Sequence, residues 1–389
     1  MAVIDIPRPA FMDDEELRMF EASVDRFLET HAGPEQSRGW RDAGFVDPAV
    51  WRAAGAAGLL GISIPAEFGG VGADFRFEAI LMEQLGRHHA LNFAIPLHNA
   101  VVAPYLVSYA DDEQKHKWLP GVASGETLLA VAMTEPGAGS DLQGMKTTAR
   151  RDGDHYVLNG QKTFISNGAN ASIIIVAAKT NPGAGAKGIS LFVVETDKVE
   201  GFTRGRLLDK MGQEGRDTAE LFFDEMRLPA GNRLGAEGGG FAMLMEKLPQ
   251  ERLVIAWQAM AMMESAIERT VAYATERQAF GRAILDFQNT QFKLAEAKTE
   301  ASIAKVFLYH CTERLLAGTL DPATASMAKY WITEAQGRII DECLQLFGGY
   351  GYMTEYPIAE MYKDARAFRI YGGTNEIMKV LIARTLVRR

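Results

Sequence analysis

Two glycine-rich stretches carry the residue types that chemistry at a bound cofactor needs. In "AMTEPGAGSDLQG", Ala132 to Gly144, small residues let the backbone approach a ligand, and Thr134, Ser140 and backbone N–H groups can hydrogen-bond to a cofactor or phosphate. The stretch misses the dinucleotide fingerprint, because Gly137 and Gly139 are followed by Leu142 where a third glycine is required. Taken alone, it fits a cofactor loop and a structural turn equally well. The second stretch, "RIYGGTNEIMKVLIARTLVRR", sets two glycines, a Thr and an Asn ahead of Ile377, Val380 and Leu381 at helical spacing, which predicts a tight loop feeding a helix. Gly372 withholds a side chain where one could point at a ligand, so if the chemistry here needs a base, that base must come from elsewhere. By itself, "KLPQERLVIA" places Glu251 and Arg252 just after Pro249 as a solvated helix start, with Glu246 and Glu264 as the other nearby carboxylates.

The elements that must position these residues fall into three zones, predicted as 1–124, 125–236 and 237–389. The first is helical, with Leu17, Phe20, Val24, Phe27 and Leu28 on one apolar stripe behind acidic residues 13–16. In the second the period changes to two. "HYVLNGQKTFISNG" predicts a hairpin at Asn159-Gly160, and "ASIIIVAAKT", "KGISLFVVET" and "TAELFFDEM" read as further strands. The third is helical again, with Asp321-Pro322 as cap and first-turn pair and Met327, Trp331, Ala335, Ile339, Cys343 and Phe347 on one row ending at Gly348. Segregated helices and strands predict an α+β fold rather than a doubly wound sheet: an N-terminal helical domain, a central β domain and a C-terminal helical domain.

Composition removes several functions. The 389 residues are 47% hydrophobic and 23% charged, as in a globular protein with a large core. A formal net charge of -9 argues against a nucleic-acid partner. The most apolar windows are strand-length, so no membrane span is expected. Cys311 and Cys343, the two cysteines, assemble neither a disulfide framework nor a zinc site, and His88, His89 and His98 lack partners at ligand spacing, so no metal is expected. The opening residues lack the features of a signal or transit peptide, and a cytoplasmic location is the expectation.

Alongside Ala132–Gly144 stand "KTFISNG", "ERQAFGR" at Glu276 to Arg282, "QLFGGYGY" at Gln345 to Tyr352 and "IYGGTNEI". In this order they resemble the acyl-CoA dehydrogenase family over essentially the whole chain. The resemblance implies a tetramer, a C-terminal four-helix bundle, and FAD lying between β domain and bundle. It implies flavin contacts at Met133, Thr134 and Ser166, with Phe164 where Trp is common. Ser140 matches a contact to the acyl-CoA. Arg277, Phe280, Gln288, Gln345, Gly348, Gly349, Thr374, Asn375 and Glu376 match positions holding the FAD pyrophosphate and adenosine, partly across a subunit interface. Each has a plainer reading: Arg277 as a surface ion pair, Phe280 as core, Glu376 as a complement to the helix dipole. Glu360 departs from the usual Lys or Arg, which puts a local ion pair in doubt.

The implied reaction removes the α-proton of an acyl-CoA thioester and transfers the β-hydrogen to flavin, giving trans-2-enoyl-CoA, with electrons passing to electron-transfer flavoprotein. Many members carry the base at the position of Gly372. Long-chain and isovaleryl-type members carry it on a bundle helix, and Glu251 matches that alternative. The expectation is that Gly372 leaves space and Glu251 reaches into it, with Arg252, Gly372 and Gly373 at the substrate. Oxidases and monooxygenases of the same fold are the competing reading; a flavin-free acyl-CoA-binding relic is another.

Overall fold

A computed structural model describes residues 3–387. The N-terminal helices are α1 (Glu15–His31), α2 (Pro34–Ala43), α3 (Pro48–Ala56), α4 (Phe75–Arg87), α5 (Ala103–Tyr109) and α6 (Asp112–Ser124). Asp14 caps α1 by accepting from the Leu17 N–H, and Leu17, Val24, Phe27 and Leu28 are buried on the expected stripe. A π-helical turn, Leu97–Val102, runs directly into α5. Such turns offset the side chains that follow them.

The strands are β1 (Leu129–Ala132), β2 (Thr148–Asp152), β3 (His155–Ser166), β4 (Ile173–Lys179), β5 (Ile189–Glu195), β6 (Phe202–Leu207), β7 (Thr218–Pro229) and β8 (Arg233–Leu234). They form one sheet in the order β6-β7-β3-β2-β4-β5-β8, with β1 parallel to β4. Both β1 and β2 pair with β4, at Ile173–Val176 and Lys179 respectively, and residues 133–147 connect them. Alternate residues of β4 enter different cores: Ile173, Ile175 and Ala177 pack with the helices, while Ile174, Val176 and Ala178 pack among the strands. Burial on both faces explains its unbroken apolar run.

The hairpin expected at Asn159-Gly160 is not there. The turn is Gly153-Asp154, between paired Asp152 and His155, with Gly153 at φ 62°. Asn159 and Gly160 lie inside β3 at a shift in its register with β7, where Asn159 bonds to the Glu225 backbone and side chain. A Cβ on Gly160 would fall 2.7 Å from Thr147 Cα, so this glycine serves close strand approach.

The third zone comprises α7 (Gly240–Glu276), a short hairpin of β9 (Gln278–Ala279) and β10 (Arg282–Ala283), α8 (Gln288–Leu316), α9 (Pro322–Leu346), α10 (Pro357–Ala365) and α11 (Asn375–Arg384). Helices α7, α8, α9 and α11 make the bundle. Asp321 caps α9 through the Ala323 and Thr324 N–H groups, and Ala335, Ile339, Cys343 and Phe347 of the predicted row are buried. Helix α7 begins nine residues before Pro249 and runs through it, so Glu251 is interior to a 37-residue helix and not a solvated start. Among the described residues no helix is long and apolar enough to cross a membrane.

Candidate active site

Glu251 is 5% exposed, although its sequence context alone reads as solvated. Its Oε1 accepts a 2.6 Å hydrogen bond from Tyr105 Oη, supplied by α5 just past the π-helical turn. Burial raises the Glu251 carboxyl to about 7, against the opposing effects of the Tyr105 bond and of the Arg252 and Lys247 charges. That is the range a base needs when it must ionise near neutral pH and still hold a proton taken from carbon. Arg252 is buried beside it, with Nη1 3.4 Å from Ser326 Oγ.

Ile255 lies one helical turn beyond Glu251 and touches the Gly372–Gly373 turn. An ideal Cβ at Gly372 would sit 2.2 Å from Ile255 Cδ1. The space expected at Gly372 is therefore already filled by Ile255, which corrects the sequence reading. Gly372 and Gly373 have φ of 65° and 89°, conformations that L side chains adopt at a cost. Among the described residues, neither glycine N–H is hydrogen-bonded to a protein acceptor. The turn thus presents backbone donors close to a buried carboxylate.

The turn is fixed from behind by a residue without a sequence signal. Lys329 of α9 is fully buried, and its Nζ donates to Gly373 O at 2.8 Å and Asn375 Oδ1 at 2.9 Å. Asn375, expected against FAD, is 1% exposed; its amide donates to Thr333 Oγ1 and Glu334 Oε1. Its side chain holds the turn instead of facing outward. Thr374 caps α11 toward the Ile377 N–H, and Glu376 is exposed in the first turn, its carboxyl held down by its own backbone N–H and the Thr374 hydroxyl.

A second group gathers on the sheet. Lys162 Nζ donates to Met133 O at 3.0 Å and Glu135 Oε1 at 2.8 Å, and the Thr163 N–H donates to Thr134 O at 3.0 Å. Glu135 also accepts from the Lys146 and Thr147 N–H groups, so one buried carboxylate closes the loop between β1 and β2. These contacts bring Met133 and Thr134 beside Phe164. The β3–β7 register shifts again between Lys162 and Ile165, and in that bulge Phe164 takes φ 59° with 67% of its surface exposed. A bulge re-aims a side chain, and here it turns a flat aromatic face outward. Ser166 is half-buried two residues on; Ser140 is exposed on the loop.

A third group lies at the far end of α7. Arg277 ends that helix with its guanidinium 5.5 Å from the Tyr350 ring centroid, and Arg277, Gln345, Gly348 and Gly349 line an open pocket of about 650 Å³. A Cβ on Gly348 or Gly349 would meet nothing within 4 Å. Phe280 tips the β9–β10 hairpin at φ 51°, 95% exposed and not core; Gln288 is exposed at the start of α8. At 1.5 Å per residue, the 26 helical positions from Glu251 to Arg277 span roughly 39 Å.

Three family models match: "Acyl-CoA dehydrogenase, N-terminal domain" over residues 14–126, "middle domain" over 130–226 and "C-terminal domain" over 238–387. The chain belongs to the acyl-CoA dehydrogenase family. The long-chain specific acyl-CoA dehydrogenase of Mus musculus mitochondria is 47% identical over 371 residues, covering 95% of this chain and 86% of that protein. The crystal structure of an acyl-CoA dehydrogenase from Geobacillus kaustophilus superposes with a TM-score of 0.94 at 46% identity, covering 97% of this chain and 99% of that one. A structure described as an electron transferring flavoprotein of Acidaminococcus fermentans gives 0.92 at 34% identity, covering 97% and 99%. The protein is thus an FAD-dependent oxidoreductase acting on acyl-CoA. Its residues suit that cofactor: Phe164 offers an outward aromatic face, while Arg277 and two open glycines offer a cationic pocket with close backbone approach.

The remaining histidines and carboxylates have local surroundings of their own. His88 pairs with Asp25, His89 faces Glu360 and Arg41, and His98 contacts Val122 O and the Leu129 N–H. Glu360, the departure from family pattern, makes its own ion pair with Arg41 at 2.5 Å. Glu264 is bound to Lys305, and Glu246 is exposed.

Proposed function

We propose that the protein dehydrogenates a long-chain or branched acyl-CoA to the trans-2-enoyl-CoA, with Glu251 as the base, and passes the electrons to an electron-transfer flavoprotein. The observation that carries this reading is the buried Glu251 carboxyl, held by Tyr105 one turn from a glycine pair with free N–H groups. In this reading Glu251 takes the α-proton, and a Gly372 or Gly373 N–H donates to the thioester oxygen as negative charge develops on it. Bound FAD supplies the hydride acceptor for the β-hydrogen. Met133, Thr134, Phe164 and Ser166 orient the flavin, Ser140 and Arg252 serve the substrate side, and burial of the site excludes water from the carbanion-like carbon.

The distance along α7 bears on assembly. Arg277, Phe280, Gln288, Gln345, Gly348 and Gly349 stand too far from Glu251 for one dinucleotide to reach both in a single chain. We therefore assign this end to the FAD of a neighbouring copy in a homotetramer, and Thr374 and Glu376, beside the Gly372–Gly373 turn, to the FAD of their own chain. The 95% exposure of Phe280 supports that role. The preference for a long chain rests on the 47% identity to the long-chain relative, and the acceptor on the described Acidaminococcus structure. Two free, buried thiols suit a reducing cytoplasm.

The test is the visible spectrum of the holoenzyme under anaerobic conditions as long-chain acyl-CoA is added. Bleaching of the flavin band is expected for the native protein. Glu251→Gln should retain FAD and ligand binding while losing turnover by ~10²-fold or more. Near-normal turnover in that variant overturns the base assignment. Rapid oxygen uptake during turnover identifies an oxidase instead.

A further inference from the structure

We propose that Lys329 is a positioning residue for the reaction, its buried ammonium fixing the Gly372–Gly373 turn so that the free N–H groups face the substrate carbonyl. The inference rests on the assignment of that turn and Glu251 to the thioester.

The geometry gives Lys329 a definite task. Two glycines at positive φ have no side chains to lock their peptides, so such a turn needs an external hold. Ile255 blocks one side, 2.2 Å from the Gly372 Cβ direction, and Met378 Cε lies 2.7 Å from the Gly373 Cβ direction. Among the described residues, only the Lys329 ammonium takes the Gly373 carbonyl, and it also binds the Asn375 side chain that starts α11. Asn375 in turn donates to Thr333 and Glu334, so α9 grips both sides of Thr374. A carbonyl held from α9 fixes its peptide plane, and through the adjoining φ and ψ the direction of the preceding N–H groups.

Charge adds to position. The charged groups facing the ammonium are Arg252 from α7, Glu334 from its own helix and Glu376 from α11. Burial and the Arg252 charge lower the Lys329 ammonium to about 7 against the pull of Glu376 and Glu334, so the group is a cation below that pH, and its hydrogen bonds all serve one turn. Such a cation also favours negative charge growing on a substrate oxygen bound to the other side of the same turn. A purely structural lysine would stabilise the fold without changing the acidity of a bound substrate.

That difference defines the experiment. A long-chain 3-thia-acyl-CoA can lose its α-proton but cannot be dehydrogenated, and its α-deprotonated form gives a long-wavelength charge-transfer band with oxidised flavin. Holoenzyme carrying Lys329→Met, Lys329→Gln or Lys329→Arg is titrated with this ligand across pH. Lys329→Met should bind it within ~3-fold of the native affinity, yet develop the band only at a pH about one unit higher, with kcat down ~10-fold or more and KM little changed. Lys329→Arg should recover part of the band. Lys329→Gln is nearly isosteric and keeps a donor without charge, so it reports where the Met variant does not fold, and an intermediate shift is expected. A folded Met or Gln variant with the native band at the native pH and native kcat overturns the proposal. Glu251→Gln separates the two readings: it should show no band, and a band there defeats the base assignment whatever Lys329 does.

Discussion

At the scale of single residues, burial of the Glu251 carboxyl is set against a hydrogen bond from Tyr105. Glu251 is raised to about 7 by burial, so between pH ~4.5 and ~7 the unfolded chain is ionised while the folded chain holds the proton. The site's contribution to stability is complete below that window and is lost as pH rises through it, by roughly 3 kcal/mol in all. Glu251→Gln should therefore melt higher than the native protein at pH 8 and similarly at pH 4, a comparison that differential scanning calorimetry makes directly. Tyr105 pulls the other way, because its hydroxyl stabilises the ionised form. Tyr105→Phe should move the acid limb of kcat/KM upward by about one pH unit. An unmoved limb would show that another group titrates. Gly372 makes a steric prediction. In a Glu251→Gly background, Gly372→Glu should restore no turnover until Ile255 is cut to Ala, since Ile255 Cδ1 occupies the path of the new side chain. Recovery measured without that change means the turn shifts more readily than its contacts suggest.

At the scale of elements, the loop between β1 and β2 hangs on the Glu135–Lys162 pair. Both side chains are nearly inaccessible, 5% and 0% exposed, and Glu135 is held ionised by Lys162 and two backbone N–H groups despite its burial. Glu135→Gln leaves Lys162 without its anion, and breaking a buried pair costs about 3–5 kcal/mol. The urea midpoint should fall accordingly, while Glu135→Leu combined with Lys162→Met should regain most of it; equal loss in both would assign the effect to packing. Neither residue was legible in advance, and the reason is instructive. The sequence carried the amphipathic stripe of α1, the Asp321 cap and the apolar run of β4, because each is a local pattern. Partners joined across 27 residues, as in Glu135–Lys162, or across 146, as in Tyr105–Glu251, leave no periodic trace. Asn159-Gly160 misleads for a related reason: Asp152-Gly153 offers the same turn chemistry seven residues earlier, and only pairing with β7 decides between them. Glu251 itself was reachable by resemblance alone, since its immediate neighbours, Gln250 and Arg252, are those of an exposed helix face.

At the scale of the whole molecule, the dominant feature is α7, which carries Glu251 in its first third and Arg277 at its end. The chemistry and the cationic pocket are thereby written into one rigid element but separated by most of its remaining length. A protein built this way behaves genetically like a lock with two keyholders. In the proposed homotetramer, Glu251→Gln and Arg277→Glu, each expected to be inactive alone, should leave intact complementary halves of different sites. Co-expressed in one cell, the two defective alleles should yield hybrid assemblies in which a Glu251 from one parent meets an Arg277 from the other, and activity should return to a fraction of the native level. Extracts of the two variants mixed only after separate assembly should stay inactive, so the inheritance pattern, read in a simple growth or dye-reduction assay, reports how the subunits share their sites.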